Sequence, residues 1–144
     1  MKMINGLKEM QDFADDQLDM FGYWDSTLTD PRDMTVMDMV KEFAHKTNQV
    51  SDTSLYQKLI AEEYEEWLDC KPSTTEDLKE LADLVYVIYG YAKSVGYDLD
   101  EAIRRVHKNN LGRCLQPDGT VQYRADGKIL KNPDFPKVDL TDLL

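Results

Sequence analysis

The chain has 144 residues, 42% of them hydrophobic and 31% charged, with 28 acidic side chains against 17 basic ones and a formal net charge of −11. That length suits one domain, large enough for a core but small for an enclosed active site, and the charge argues against DNA, RNA or an anionic membrane as a main partner. No apolar run approaches the roughly 20 residues of a membrane span and no secretory leader is readable; Cys70 and Cys114 make neither a disulfide framework nor a zinc pattern, so reduced thiols in a cytoplasmic protein are expected.

In chain order, Leu7, Met10, Phe13, Ala14, Leu18 and Phe21 recur at helical spacing and predict an amphipathic helix over 5–21. Residues 22–33 read as a connection with a turn signal at Thr29 to Pro31. Tyr23 and Trp24 in it are expected to pack the first helix onto the body; stacking on a nucleobase is the alternative. Thr35, with Asp38 three residues on, predicts an N-cap, and Met37, Val40, Phe43 and Ala44 give the stripe of a helix ending near Thr47 or Asn48. The next helix should run over 53–69 and stop before Lys71-Pro72. Ser73 with Glu76, or Thr74 with Asp77, then caps a helix reaching about Val95, with Glu76 read as a capping residue. Asp98 and Glu101 open a fourth core helix over about 99–111, with Leu99, Ala102, Ile103 and Val106 as its apolar face, Asn110 in that face and Gly112 as the stop. Past Cys114 the text changes. Asp118-Gly119 and Asp126-Gly127 flank Thr120 to Arg124, a short strand at most, and Pro133 and Pro136 impose extended backbone. The expected fold is all-α: an N-terminal helical extension over 1–33, a four-helix core over 34–113 and an irregular or hairpin tail over 114–144, one domain overall.

Two acidic clusters lie inside this helical text, Glu62-Glu63-Tyr64-Glu65-Glu66 and Glu80-Leu81-Ala82-Asp83. At about 100° per residue, Glu63 and Glu66 fall within about 100° of Glu62, on the side of Leu55, Leu59 and Tyr56, while Glu65 and Lys58 face away. The helix that carries Glu80 and Asp83 is apolar on nearly every side, so it is expected to be central and its acids largely buried. A lone EExxE is ordinarily a solvated helix face. A second inward-facing pair on the next helix, antiparallel to the first across a short loop, is harder to explain that way. Buried carboxylates are costly unless paired, and no Lys or Arg is expected among these five. A hard divalent cation with oxygen ligands would serve as counter-ion.

Taken in order, Glu62-Glu63-x-x-Glu66, residues 67–79 as a spacer, Glu80-x-x-Asp83, then Gly96-Tyr-Asp-Leu-Asp and Val106-His-Lys-Asn-Asn-Leu-Gly-Arg113 resemble the all-α nucleoside triphosphate pyrophosphohydrolases, the MazG-like and dimeric dUTPase-related group. The likeness spans roughly residues 35–131. It implies hydrolysis of a nucleoside triphosphate between the α and β phosphates, with Mg²⁺, or Mn²⁺, held by Glu63, Glu66, Glu80 and Asp83. It further implies that Glu62 positions or deprotonates the attacking water, in a role exchangeable with Glu63, and that Asn110, Arg113 and Lys128 hold the phosphates. Read from the residues alone, Asn110 serves equally well as a core amide. Arg113 stands where the family more often has Lys, which keeps the charge and changes the geometry. His45 and Gln49 occupy a stretch where the family often has polar residues that touch the base. The basic piece Arg124 to Lys131 is similar to tails that close over the triphosphate from the same or a neighbouring subunit. A homodimer or homotetramer is implied, with dUTP as the favoured substrate and dCTP, a broader set of (d)NTPs and phosphoribosyl-ATP behind it. The competing class is a non-catalytic helical interaction module, which would show no Mg²⁺-dependent rise in melting temperature.

Overall fold

The computed structural model describes residues 31–49 and 52–144, and it divides the chain into two compact units, 1–34 and 35–144. Of the first unit only a 3₁₀ turn at Pro31–Asp33 and the residue after it are described. The helix expected over 5–21, with Tyr23 and Trp24, therefore lies outside the described residues. In the second unit four α-helices follow one another: α1 Val36–Lys46, α2 Thr53–Asp69, α3 Thr75–Val95 and α4 Leu99–Arg113. The fold is all-α as expected, with one isolated antiparallel bridge, Tyr123 to Ile129, in place of a strand among the described residues.

Each helix starts on a side-chain cap. Thr35 and Asp38 form a reciprocal capping box, with the Asp38 N–H donating to Thr35 Oγ1 at 3.1 Å and the Thr35 N–H to Asp38 Oδ2 at 3.2 Å. Asp52 Oδ1 accepts from the N–H groups of Ser54 and Leu55, Thr74 Oγ1 from that of Asp77, and Asp98 Oδ1 from that of Glu101. The cap of α3 is thus Thr74 with Asp77, and Glu76 is not the capping partner. Asp77 has the better position because its carboxylate also accepts from the Trp67 indole N–H at 3.0 Å and the Ser73 N–H at 3.0 Å, tying the end of α2 to the start of α3.

The ends are equally specific. Asn48 adopts φ +49°, with its N–H donating to His45 O and the Gln49 N–H to Ala44 O at 3.0 Å, which closes α1 in a Schellman motif. Gly96, at φ +83°, lets the Tyr97 N–H reach Ala92 O at 2.9 Å and closes α3. Gly112 does not stop α4, which continues through Arg113. A methyl there would lie 2.2 Å from the Phe135 ring, so the glycine is a seat for the tail and not a break.

α3 is the centre: α2 packs along it and α1 packs against it as well. The core consists of Met37, Val40, Tyr89 and Ala92, with Val36, Tyr86 and Leu99 against it, and Phe43 meets Tyr86 edge to face at 6.0 Å. α3 is not enclosed, however. Leu78 (69% exposed), Leu81, Val85 and Ile88 lie along one face of it and are all solvent-accessible. The expected apolar face of α4 is also open, since Ile103 and Val106 are exposed and no α4 residue is fully buried. α4 is tied to α3 through the Tyr89 hydroxyl, which donates to Asp100 at 2.8 Å. The tail turns at Gly119 and Gly127 and then runs back along α4. There the Asn132 N–H donates to Arg113 O, the Asn109 amide to Pro136 O at 2.8 Å, and Arg105 grips Asp142 through both terminal nitrogens at 2.6 and 2.8 Å.

Candidate metal and substrate site

The short α2–α3 connection sets the two acidic clusters face to face. Glu63 and Glu66 stand one turn apart on α2, Glu80 and Asp83 one turn apart on α3. Glu63, Glu66 and Glu80 each bring an oxygen within 4.8 Å of the other two. Glu80 has a side chain only 13% exposed, and its Oε2 is buried with no hydrogen-bond partner. Glu63 is half-buried. Burial, then the charges of Asp83, Glu66 and Glu80, push its carboxyl above the usual range, and Lys79 pulls the other way.

One cation is already there. Lys79 Nζ lies 2.9 Å from both Glu80 Oε1 and Asp83 Oδ2, which corrects the expectation that no Lys or Arg would stand among these acids. Lys79 directly precedes Glu80 and lies one turn before Asp83, about 40° from it around the helix, so its stem can curl back over both. Asp83 itself is 44% exposed, less buried than the apolar text of α3 suggested, because its side of the helix opens to solvent. A single ammonium leaves an orphaned buried oxygen and three crowded carboxylates. That donor set, all hard oxygens and short of positive charge, fits a divalent cation.

Beside the acids runs a cleft of about 290 Å³ lined by Val40, Phe43, Gln49, Tyr56, Leu59, Glu63, Asp83, Tyr86, Val87 and Gly90. Its walls are mostly apolar and its acidic edge is the metal-binding candidate. Tyr56 is buried, and its hydroxyl donates to Gln49 Oε1 at 2.9 Å. The Tyr56 ring lies on bare backbone at Gly90, where a methyl would come within 2.2 Å of Cε1. Sequence reading had no role for Tyr56 or Gly90. The available signal was a glycine in mid-helix, which costs about 1 kcal/mol relative to alanine and so marks a close approach.

Glu62, Asn110, Arg113, Lys128 and His45 do not line that cleft. Glu62 is exposed and outside the three-carboxylate group, because α2 turns its Leu55 side outward as well. Asn110 is exposed, whereas the neighbouring Asn109 is half-buried and engaged with the tail; this corrects the inward placement of Asn110, since the tail and not the helical core covers that part of α4. Arg113 is half-buried with its Nε buried and unpartnered. Lys128 lines a different hollow, with Arg124, Ile129, Leu130 and Lys131. His45 is exposed.

No helix among the described residues is long and apolar enough to cross a membrane. No curated protein matches the chain. Among solved structures it is similar to the cyanophage S-2L MazG-like pyrophosphohydrolase, which was determined with dGDP and three catalytic Mn²⁺ ions per active site; identity is 19% and the TM-score 0.49, with 69% of this chain and 91% of that one covered. The model of the phosphoribosyl-ATP pyrophosphohydrolase family matches residues 29–110, more than half of the 144 residues and the whole stretch that carries the facing carboxylates. The chain therefore belongs to that family, among the MazG-like all-α pyrophosphohydrolases.

Proposed function

We propose that the protein hydrolyses a (deoxy)nucleoside triphosphate between its α and β phosphates, with dUTP favoured, using divalent metal held by Glu63, Glu66, Glu80 and Asp83. The observation that carries this reading is the meeting of three carboxylates within 4.8 Å at the edge of an apolar cleft of about 290 Å³. That volume is just under the about 300–1,000 Å³ typical of small-molecule pockets. It suits a nucleoside, leaving the charged phosphates at the acidic edge. When bound there, a divalent cation neutralises phosphate charge and acidifies water. The chain's own part is to hold the base and sugar in the cleft and to take up a proton. Water attacks the α phosphorus, the bond to the bridging oxygen breaks, the electron pair leaves on diphosphate, and the water proton passes to Glu62 or its neighbour Glu63.

Asn110, Arg113 and Lys128 complete the proposal as phosphate contacts. None of the three lines the cleft; the basic piece Arg124 to Lys131 would reach the acidic edge from the same or a neighbouring subunit. The open stripe Leu78, Leu81, Val85 and Ile88 on α3 is the proposed seam of a homodimer, itself able to pair into a tetramer. Magnesium is the expected metal and manganese a substitute. The decisive assay is diphosphate release from a panel of dUTP, dCTP, other (d)NTPs and phosphoribosyl-ATP, with Glu63→Gln and Asp83→Asn as controls. Metal-dependent release by the unmodified protein only is expected; no release from any substrate would sink the reading.

A further inference from the structure

We propose that Asp77 is a positioning residue for the metal site, setting divalent-ion affinity by locking α3 in register against α2 through Trp67. The inference rests on the metal-dependent reading above and adds to it a residue that touches neither metal nor substrate.

The Asp77 side chain departs from the cap pattern used at α1. There the third helical residue, Asp38, turns its carboxylate back onto the N-cap, accepting from the Thr35 N–H at 3.2 Å and the Thr35 hydroxyl at 2.7 Å. Asp77 is the third residue of α3, and its N–H donates to Thr74 Oγ1 at 3.2 Å in the same way. Its carboxylate, however, leaves the helix. Oδ1 accepts the Trp67 indole N–H at 3.0 Å from the last turn of α2, and Oδ2 accepts the Ser73 N–H at 3.0 Å from the connection. The Thr74 cap bond needs only the backbone of Asp77, so the carboxylate serves the junction between the helices. Trp67 and Asp77 are both half-buried, which strengthens the bond between them. Tyr64 braces the indole from one turn back, with ring centroids 6.0 Å apart.

This clamp sits one turn from the point where the acids meet. Trp67 directly follows Glu66, and Asp77 is three residues before Glu80, about 4.5 Å along the axis of α3. A slip of α3 by a single residue moves Glu80 about 1.5 Å along that axis, whereas metal–ligand distances tolerate only about 0.2 Å. The five-residue connection between the helices does not impose that tolerance by itself. Lys71, Pro72 and Ser73 in it are exposed, and Ser73 stands at φ +65°, a left-handed conformation that serine adopts at a cost. The bond from the Ser73 N–H to Asp77 Oδ2 holds that residue there, so one carboxylate fixes the connection as well as the two helices. Without it, the mutual repulsion of Glu63, Glu66 and Glu80 favours a wider separation of α2 and α3, which a metal must then reverse.

The test is the dissociation constant for Mn²⁺, read by electron paramagnetic resonance of the free ion on the full chain, well below the melting temperature. It compares the unmodified protein with Asp77→Ala, Trp67→Phe and Asp98→Ala. Asp77→Ala and Trp67→Phe should each weaken Mn²⁺ binding by about 10-fold or more, the cost typical of removing a group that orients metal ligands. Trp67→Phe keeps an aromatic ring and changes no charge, so it separates geometry from the loss of a nearby carboxylate. Asp98→Ala is the control for stability: it removes the α4 cap, should lower the melting temperature, and should leave Mn²⁺ affinity unchanged. A merely structural role for Asp77 would lower the melting temperature and not the affinity. Unchanged affinity in either Asp77→Ala or Trp67→Phe, or an equal loss in Asp98→Ala, overturns the inference while sparing the metal reading. Should Asp77→Ala fail to fold, Trp67→Phe decides the matter alone. Absence of Mn²⁺ binding by the unmodified protein overturns both.

Discussion

Glu80 gives one oxygen to Lys79 and buries the other without a partner, so the fold holds negative charge that it only partly neutralises. Two predictions follow at the scale of single residues. Glu63 titrates above its ordinary value of 4.5 because ionising it is opposed by burial and then by its acidic neighbours. The penalty is absent below that ordinary value and complete once pH exceeds the raised one. In EDTA, Glu63→Gln should therefore melt higher than the unmodified protein at pH 7, with the gap closing as pH falls toward 4. Mn²⁺ should reverse the order by stabilising only the form that keeps its ligand. Melting curves that do not cross on adding metal would remove Glu63 from the ligand set. Lys79 is the complementary case. With a side chain 64% exposed, its pairs are worth at most about 1 kcal/mol. Lys79→Met should lower the melting temperature in EDTA by a few degrees and have a smaller effect at saturating Mn²⁺, when the carboxylates have another partner.

The elements depend on local chemistry at their ends. Asn48 occupies the left-handed position that closes α1, where most side chains cost roughly 1–2 kcal/mol. Asn48→Ala should destabilise by about 1 kcal/mol and Asn48→Gly should be nearly neutral, as read by urea denaturation. Equal losses in both would mean that the asparagine side chain matters and its φ does not. Gly112 gives a sharper contrast. Alanine is intrinsically the better helix residue by about 1 kcal/mol, yet its methyl would meet the Phe135 ring. Gly112→Ala should therefore leave helix content intact and detach the tail, read as faster proteolytic cleavage after residue 113. Adding Phe135→Ala should recover the helix propensity without restoring the tail. Resistance to protease equal to that of the unmodified chain would argue against the ring as the anchor.

For the whole molecule the exposed apolar surface is the main fact. α3 packs against both α1 and α2 and still shows Leu78, Leu81, Val85 and Ile88 to solvent, while α4 shows Ile103 and Val106. A net charge of −11 keeps separate copies apart in general, but this stripe carries no charge of its own. Sedimentation velocity should find a dimer or tetramer for the unmodified protein, and Val85→Glu should shift it toward monomer. Loss of diphosphate release along with the dimer would tie catalysis to assembly. A monomeric and active unmodified protein would refute the proposed seam.

How much of this was legible beforehand depended on the range of the forces involved. The boundaries of α2 and the Thr35 cap were readable because caps and stripes act within one or two turns, and Asp52, Thr74 and Asp98 hydrogen-bond residues no more than three positions away. The pairing of Glu63 and Glu66 with Glu80 was readable because a short connection leaves antiparallel neighbours little choice. What could not be read was decided by contacts distant in sequence. Gly112 looks like a helix stop until Phe135, far along the tail, is laid on it, and Asn110 looks inward until the tail engages Asn109 instead. Gly90 has no visible purpose until Tyr56 arrives from another helix. Composition and periodicity made this an all-α chain with facing acids; only tertiary packing decided how Lys79 lies over them and that Tyr56 rests on Gly90. Side-chain direction at such a site is set by neighbours that local sequence does not specify.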